Sequence, residues 1–135
     1  MGIDDLIVKE LSEIDQYGSS GNSWIAFGRY IRLLERKATE SGTPYEKLVE
    51  LRKEEIAVAV GKAFEGINPP NYDELRCQES LPESEQDSHL LIQLRSSREL
   101  YERCGPRSRD LLLLEFEKGN FKAAEKILKT GFPYS

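Results

Sequence analysis

Apolar side chains recur every three or four residues from Trp24 to Ala38, and this spacing constrains the fold more than any other feature of the sequence. The residues on this stripe are Trp24, Phe27, Ile31, Leu34 and Ala38. Such spacing places them on one face of an α-helix, whereas a strand would put alternate residues on opposite faces. The sequence therefore predicts a long amphipathic helix, preceded by a loop over residues 18–22 and capped at its start by Ser23.

The same spacing predicts helices along most of the chain. The expected helical segments are residues 3–17, about 43–64, about 84–103, 108–118 and 120–130. Thr43 and Pro44 are typical of a helix start, and Gly105-Pro106 is typical of a stop. Gly61, inside the third segment, predicts a close approach by another element. We expect an all-α fold: one domain over residues 1–135, an irregular bundle of five or six helices ending in a short αα-hairpin.

An acidic linker is expected at about 66–87. This segment contains Pro69, Pro70 and Pro82, and residues 71–88 carry six acidic side chains and one arginine. Proline interrupts helices, and clustered like charges repel each other, so an extended connection is favoured. Asn71 could cap one short helix within the linker.

The remaining charge is also unevenly distributed. The chain has a net charge of −5, and residues 1–17 carry five acidic side chains against one lysine. Phosphate binding requires clustered lysine and arginine, so this balance argues against a chain that coats nucleic acid.

The sequence contains no recognisable catalytic or metal-binding pattern. It has one histidine, His89, and two cysteines, Cys77 and Cys104, which cannot supply four zinc ligands without carboxylates. It also lacks a Gly-rich phosphate loop, and no local motif supports a Cys–His nucleophile pair. We therefore predict no catalytic residue, no metal site and no cofactor.

The location of the protein is predicted from missing signals. The N-terminus lacks the basic and apolar regions of a secretory signal. No apolar run approaches the roughly 20 residues that a membrane span needs. We expect free thiols, a cytoplasmic location and no membrane association.

Three arginines form a basic stripe beside the apolar face of the second helix. Arg29, Arg32 and Arg36 stand at positions i, i+3 and i+7. They are candidate binding residues for an acidic protein partner. The alternative is a solvated face that the acidic first helix partly neutralises.

Charged residues also fall within the apolar arcs of the predicted helices, at Glu10, Arg52 and Arg98. An unpaired charge in a core is costly, so three interpretations are open. The long stems could lie along the core rim, Glu10 could pair with an arginine, or Arg52 and Arg98 could hold a partner carboxylate.

Further arginines are dense near the predicted fourth and fifth helices, at Arg95, Arg98, Arg103, Arg107 and Arg109. Acidic residues interrupt this group, and no aromatic side chains alternate with it as base-stacking platforms would. We expect a non-catalytic protein-interaction module, such as an adaptor, an assembly-factor subunit or an inhibitor. The alternative is a nucleic-acid-associated helical protein that uses these arginine-rich faces.

The last residues form an aromatic tail around a proline: Phe132, Pro133 and Tyr134. This tail could fold back onto the core or protrude as a docking peptide. Fold-back is favoured, because large aromatic side chains are usually buried.

Overall fold

The structure, a computed structural model, describes residues 2–17 and 21–132. The described residues form eight α-helices and no strand. The helices are α1 (Ile3–Tyr17), α2 (Gly21–Ser41), α3 (Tyr45–Leu51), α4 (Lys53–Ala63), α5 (Tyr72–Ser80), α6 (Ser88–Arg103), α7 (Pro106–Lys118) and α8 (Phe121–Thr130), with a short 3-10 turn at Glu83–Glu85. The all-α prediction is confirmed. The expected five or six helices become eight because one predicted helix is divided and the linker contains another.

The main core surrounds α2, as the apolar stripe of that helix predicts. Phe27, Ile31, Leu34 and Ala38 are all buried, and Trp24 is partly buried. The Phe27 ring lies 4.9 Å from the ring of Phe132 and 6.4 Å from that of Phe64. Phe132 thus folds back into the core, whereas Pro133 and Tyr134 lie outside the described residues. Buried side chains of α1, α3, α4, α7 and α8 complete this cluster.

The start of α2 differs from the prediction. The helix begins at Gly21, so Ser23 lies within its first turn instead of capping it. The Ser23 side chain is buried and donates a hydrogen bond to the Ile14 carbonyl of α1 at 3.4 Å. Of the predicted loop, residues 18–20 lie outside the described residues.

The predicted third helix is divided at Arg52 into α3 and α4. Arg52 has φ −108° and ψ 16°, which departs from helical geometry. The two halves share α2 as a packing partner but differ in the others: α3 packs on α8, whereas α4 packs against α1 and α7. One straight helix would not meet both sets of partners. Thr43 does not cap this segment, because Pro44 occupies the N-cap position and no side chain caps the helix.

Part of the predicted linker is helical, because α5 takes up nine of its residues. The side chain of Asn71 accepts a hydrogen bond from the Glu74 backbone N–H at 3.0 Å and so caps this helix. Leu75 of α5 packs with Leu91 and Leu94 of α6 in a second, smaller cluster. Local capping and three buried leucines therefore order a segment whose prolines suggested a linker.

None of the described helices is long and apolar enough to cross a bilayer.

Candidate functional site

Arg29, the first residue of the predicted arginine stripe, joins α2 to α1. Its Nε lies 3.1 Å from both carboxylate oxygens of Glu10, and its Nη2 lies 2.9 Å from Glu13. The Glu10 side chain is only 11% exposed. A nearly buried carboxylate requires such a partner, so Glu10 and Arg29 form the internal ion pair that was one of the three sequence interpretations.

The rest of the stripe remains on the surface of α2. Arg36 pairs with Glu40 one turn later, with 3.0 Å between Nε and the carboxylate. Arg32 is exposed. A pair between exposed side chains contributes little to stability, so the pair with Glu40 does not hold Arg36 away from a partner. The binding role of the stripe stays a prediction, now without a principal contribution from Arg29.

Arg52 lies in an internal network instead of at an open carboxylate-binding fork. Its Nη1 is 2.8 Å from Glu55, and its Nη2 is 4.0 Å from Asp4 of α1. The same Glu55 carboxylate accepts a hydrogen bond of 2.6 Å from the hydroxyl of Tyr30, a residue with no exposed surface. This network connects α1, α2 and α4 where the predicted helix divides.

Two buried tyrosines of this region, Tyr30 and Tyr45, make the free energy of unfolding decrease at alkaline pH. Burial, together with the hydrogen bond to Glu55, raises the pKa of Tyr30, and burial raises the pKa of Tyr45. The unfolded chain releases these protons near pH 10 while the folded chain retains them, so stability is full below pH 10 and falls above it. We expect a loss of about 1 kcal/mol per tyrosine per pH unit.

Urea unfolding at about pH 8, 10 and 11 measures this effect. The free energy of unfolding of the variant Tyr30→Phe should decrease clearly less above pH 10, because phenylalanine has no hydroxyl proton to retain. An unchanged pH slope in Tyr30→Phe would contradict the assignment.

The second group of arginines is also largely engaged within the chain. Arg95 and Arg98 of α6 lie 3.2 Å and 3.8 Å from the Glu79 carboxylate of α5. Arg103 pairs with Glu99 on its own helix at 3.4 Å. Arg107 is exposed. The structure brings Arg95 and Arg98 together around a carboxylate of this chain.

Arg109, an expected surface contact for nucleic acid, is buried. Its guanidinium donates hydrogen bonds to the carbonyls of Phe64 and Ile67, the latter at 2.7 Å, and pairs with Asp110 at 2.9 Å. These carbonyls belong to the end of α4 and the loop that follows. Arg109 therefore fixes the C-terminal end of α4 to α7 and is not available to a partner.

The described residues offer a different surface feature, a groove between α1 and α4. The groove has a volume of about 400 Å³. It is lined by Leu11, Ile14, Asp15, Glu54, Glu55, Val58, Ala59 and Lys62. Val58 is 58% exposed, and an ion pair between Asp15 and Lys62 joins the two walls. Concave, mainly apolar surfaces of this kind are typical of binding sites.

A second groove lies on the opposite side of α4, against α7. Its volume is about 320 Å³. The lining residues are Lys53, Glu54, Ala57, Leu113, Phe116 and Glu117. We call these two features the α1/α4 groove and the α4/α7 groove. We call the helix surface between the two grooves the α4 face. It consists of Glu54, Ala57, Val58 and Gly61, at positions i, i+3, i+4 and i+7.

Gly61 on the α4 face has no packing role within the described part of the chain. No atom lies within 4 Å of the position that a Cβ would occupy there, so the predicted close approach does not occur within the described chain. Glycine inside a helix costs about 1 kcal/mol relative to alanine. A glycine in an open position leaves room for close approach by another molecule.

Comparison with protein-family models, curated proteins and solved structures gives no significant match.

The described residues contain few other candidate features. Within residues 2–17 and 21–132, no group of three metal-ligating side chains is close enough to hold an ion. Both cysteines are free, with Cys77 exposed and Cys104 partly buried. A third cavity of about 310 Å³, between residues 66–68 and α6, is lined by Ser97, Leu100 and polar backbone. The α4 face with its two grooves is therefore the best-formed candidate site.

Proposed function

We propose that this chain is a non-catalytic protein-interaction module that binds its partner through the α4 face. It would act as an adaptor, an assembly-factor subunit or an inhibitor of another protein. The observation that carries the proposal is the pair of apolar grooves flanking one exposed helix. Other exposed apolar residues include Ile92 on α6, and Leu111 and Leu114 on α7, which line neither groove.

The chemistry of the α4 face favours binding over catalysis. Its apolar lining comes from Val58 and Ala57 together with Leu113 and Phe116 of α7. The carboxylates and lysines lie at the rims of the grooves. Apolar centres with charged rims are typical of protein interfaces.

Substitution of Val58 by glutamate tests the proposal. Val58→Glu places a charge at the centre of the surface, and burying it against a partner should reduce capture by at least about tenfold. Ile92→Glu on α6 is the matched control, since Ile92 is 64% exposed and Val58 is 58% exposed. Tagged wild-type and variant chains would be expressed in the native cells, and captured proteins would be quantified by mass spectrometry.

The proposal expects a set of proteins that wild type and Ile92→Glu capture equally and that Val58→Glu loses. Circular dichroism and thermal melting would establish that both variants retain the fold. Equal capture by Val58→Glu and the wild type would contradict the assignment of the α4 face.

A further inference from the structure

The α4/α7 groove carries two carboxylates and one lysine, and so has a net negative charge. Glu54 stands on its α4 side and Glu117 on its α7 side, and both are exposed. Neither carboxylate forms an ion pair or a hydrogen bond with any described residue. The single lysine of the lining, Lys53, is held over the ring of Phe121, 5.8 Å from its centroid.

The carboxylates of the α1/α4 groove differ from those of the α4/α7 groove in their ion pairing. In the α1/α4 groove they are mostly compensated, because Asp15 pairs with Lys62 and Glu55 with Arg52. Glu54 lines both grooves and is the exception. Of the two grooves, the α4/α7 groove therefore holds more unpaired carboxylates.

A partner that covers this groove would remove two carboxylates from water. Desolvating unpaired charges is costly, and matching cations on the partner offset that cost. The floor between the carboxylates is apolar, formed by Ala57, Leu113 and Phe116. Lysine and arginine suit this arrangement, because their stems pack on apolar surface while their cationic ends reach the carboxylates.

The walls of the groove also restrict the backbone of the partner. Both walls are helices, whose backbone N–H and C=O groups are bonded within the helix. The walls therefore offer few main-chain hydrogen bonds to an extended peptide. A helical partner does not need them, because its backbone groups are bonded within its own helix.

We infer, on the basis of the proposed protein-interaction function, that the α4/α7 groove binds a cationic amphipathic helix. Its apolar stripe packs on Ala57, Leu113 and Phe116, and flanking lysine or arginine residues pair with Glu54 and Glu117. Nucleic acid does not fit this surface, because the two carboxylates would repel phosphates.

Three synthetic peptides test the inference on the full chain. Each has about 18 residues, enough for measurable helicity, and the same leucine and alanine stripe, with a polar face of lysine, glutamine or glutamate. Binding would be measured by fluorescence anisotropy, and its location by backbone amide NMR shifts. We expect the lysine peptide to bind about tenfold more tightly than the glutamine peptide and the glutamate peptide more weakly still. The shifts should centre on Ala57, Leu113 and Phe116.

A pair of charge-reversal variants separates local from overall charge. Glu54→Lys with Glu117→Lys should weaken binding of the lysine peptide at least about tenfold. Glu83→Lys with Glu85→Lys makes the same change in net charge at exposed positions in the 3-10 turn and should leave binding unchanged. The milder pair Glu54→Gln with Glu117→Gln should give an intermediate loss and covers a failure of the lysine variant to fold.

The inference and the proposed function fail in different ways. If the glutamine or glutamate peptide binds as tightly as the lysine peptide, or if the two charge reversals weaken binding equally, the cationic partner is overturned. The α4 face then still stands on the Val58→Glu result. If no peptide shifts the groove signals and Val58→Glu retains every partner, both are overturned.

Discussion

Replacing Gly105 by alanine is expected to lower the free energy of unfolding by about 3–5 kcal/mol. Gly105 has φ +107°, a conformation that L-residues rarely adopt. A Cβ there would lie 2.7 Å from Cζ of Phe64 and 3.3 Å from Cδ1 of Phe132. Both rings are buried in the main core, so they cannot move away without disturbing their neighbours.

Gly119→Ala is the matched control for this substitution. Gly119 also has a positive φ, +72°, but no atom lies within 4 Å of the position of its Cβ. Gly119→Ala should lower the free energy of unfolding by only about 1–2 kcal/mol, which is the cost of the left-handed backbone. Urea unfolding of both variants measures the difference. Equal losses would show that the contact with Phe64 and Phe132 is not the cause.

Replacing Arg109 by methionine is expected to cost about 3 kcal/mol. Methionine keeps much of the apolar stem but removes the donors to the Phe64 and Ile67 carbonyls and the cation beside Asp110. The Phe64 carbonyl keeps a backbone hydrogen bond from Ile67, but the Ile67 carbonyl loses the guanidinium donor, and a poorly hydrated acceptor without a donor is the main cost.

Arg107→Met provides the comparison two residues away. Arg107 is exposed, and its substitution should change stability by less than about 0.5 kcal/mol. Chemical unfolding of the two variants under the same conditions measures both effects. A similar small loss for Arg109→Met would contradict the internal role assigned to its guanidinium.

The parts of the fold that local sequence determines were predictable. The stripe from Phe27 to Ala38 is buried as expected, and the α7–α8 hairpin turns at Gly119, which adopts the left-handed conformation. The capping of α5 by Asn71 could also be anticipated. In each case residues close in sequence carry the information, through helical spacing or through turn chemistry.

The features that distant residues determine were not predictable. The division at Arg52 separates α3, which packs on α8, from α4, which packs on α1 and α7. Helical spacing placed Glu10 in an apolar arc but could not identify Arg29, nineteen positions away, as its partner. Arg109 looked like one more surface arginine, because the carbonyls that bind it lie more than forty positions earlier in the chain.

The grooves beside α4 were missed for a related reason, since a groove exists only once two helices are adjacent. One sequence signal pointed toward them. The run from Ile56 to Val60 is apolar at every position. A helix with one buried face can bury only some of five consecutive side chains, so the others are left on its surface. Val58 and Ala57 are the residues left over, and they lie on the α4 face.

Site-specific photo-crosslinking in the native cell tests most directly whether the α4 face binds a protein. A photoreactive amino acid would replace one residue in each of three otherwise unchanged chains. Position 58 represents the α4 face, position 92 is an exposed apolar control, and position 32 represents the arginine stripe. We predict a discrete adduct with one partner from position 58 and none from position 92 or 32. An adduct from position 32 or 92 with none from position 58 would contradict the assignment.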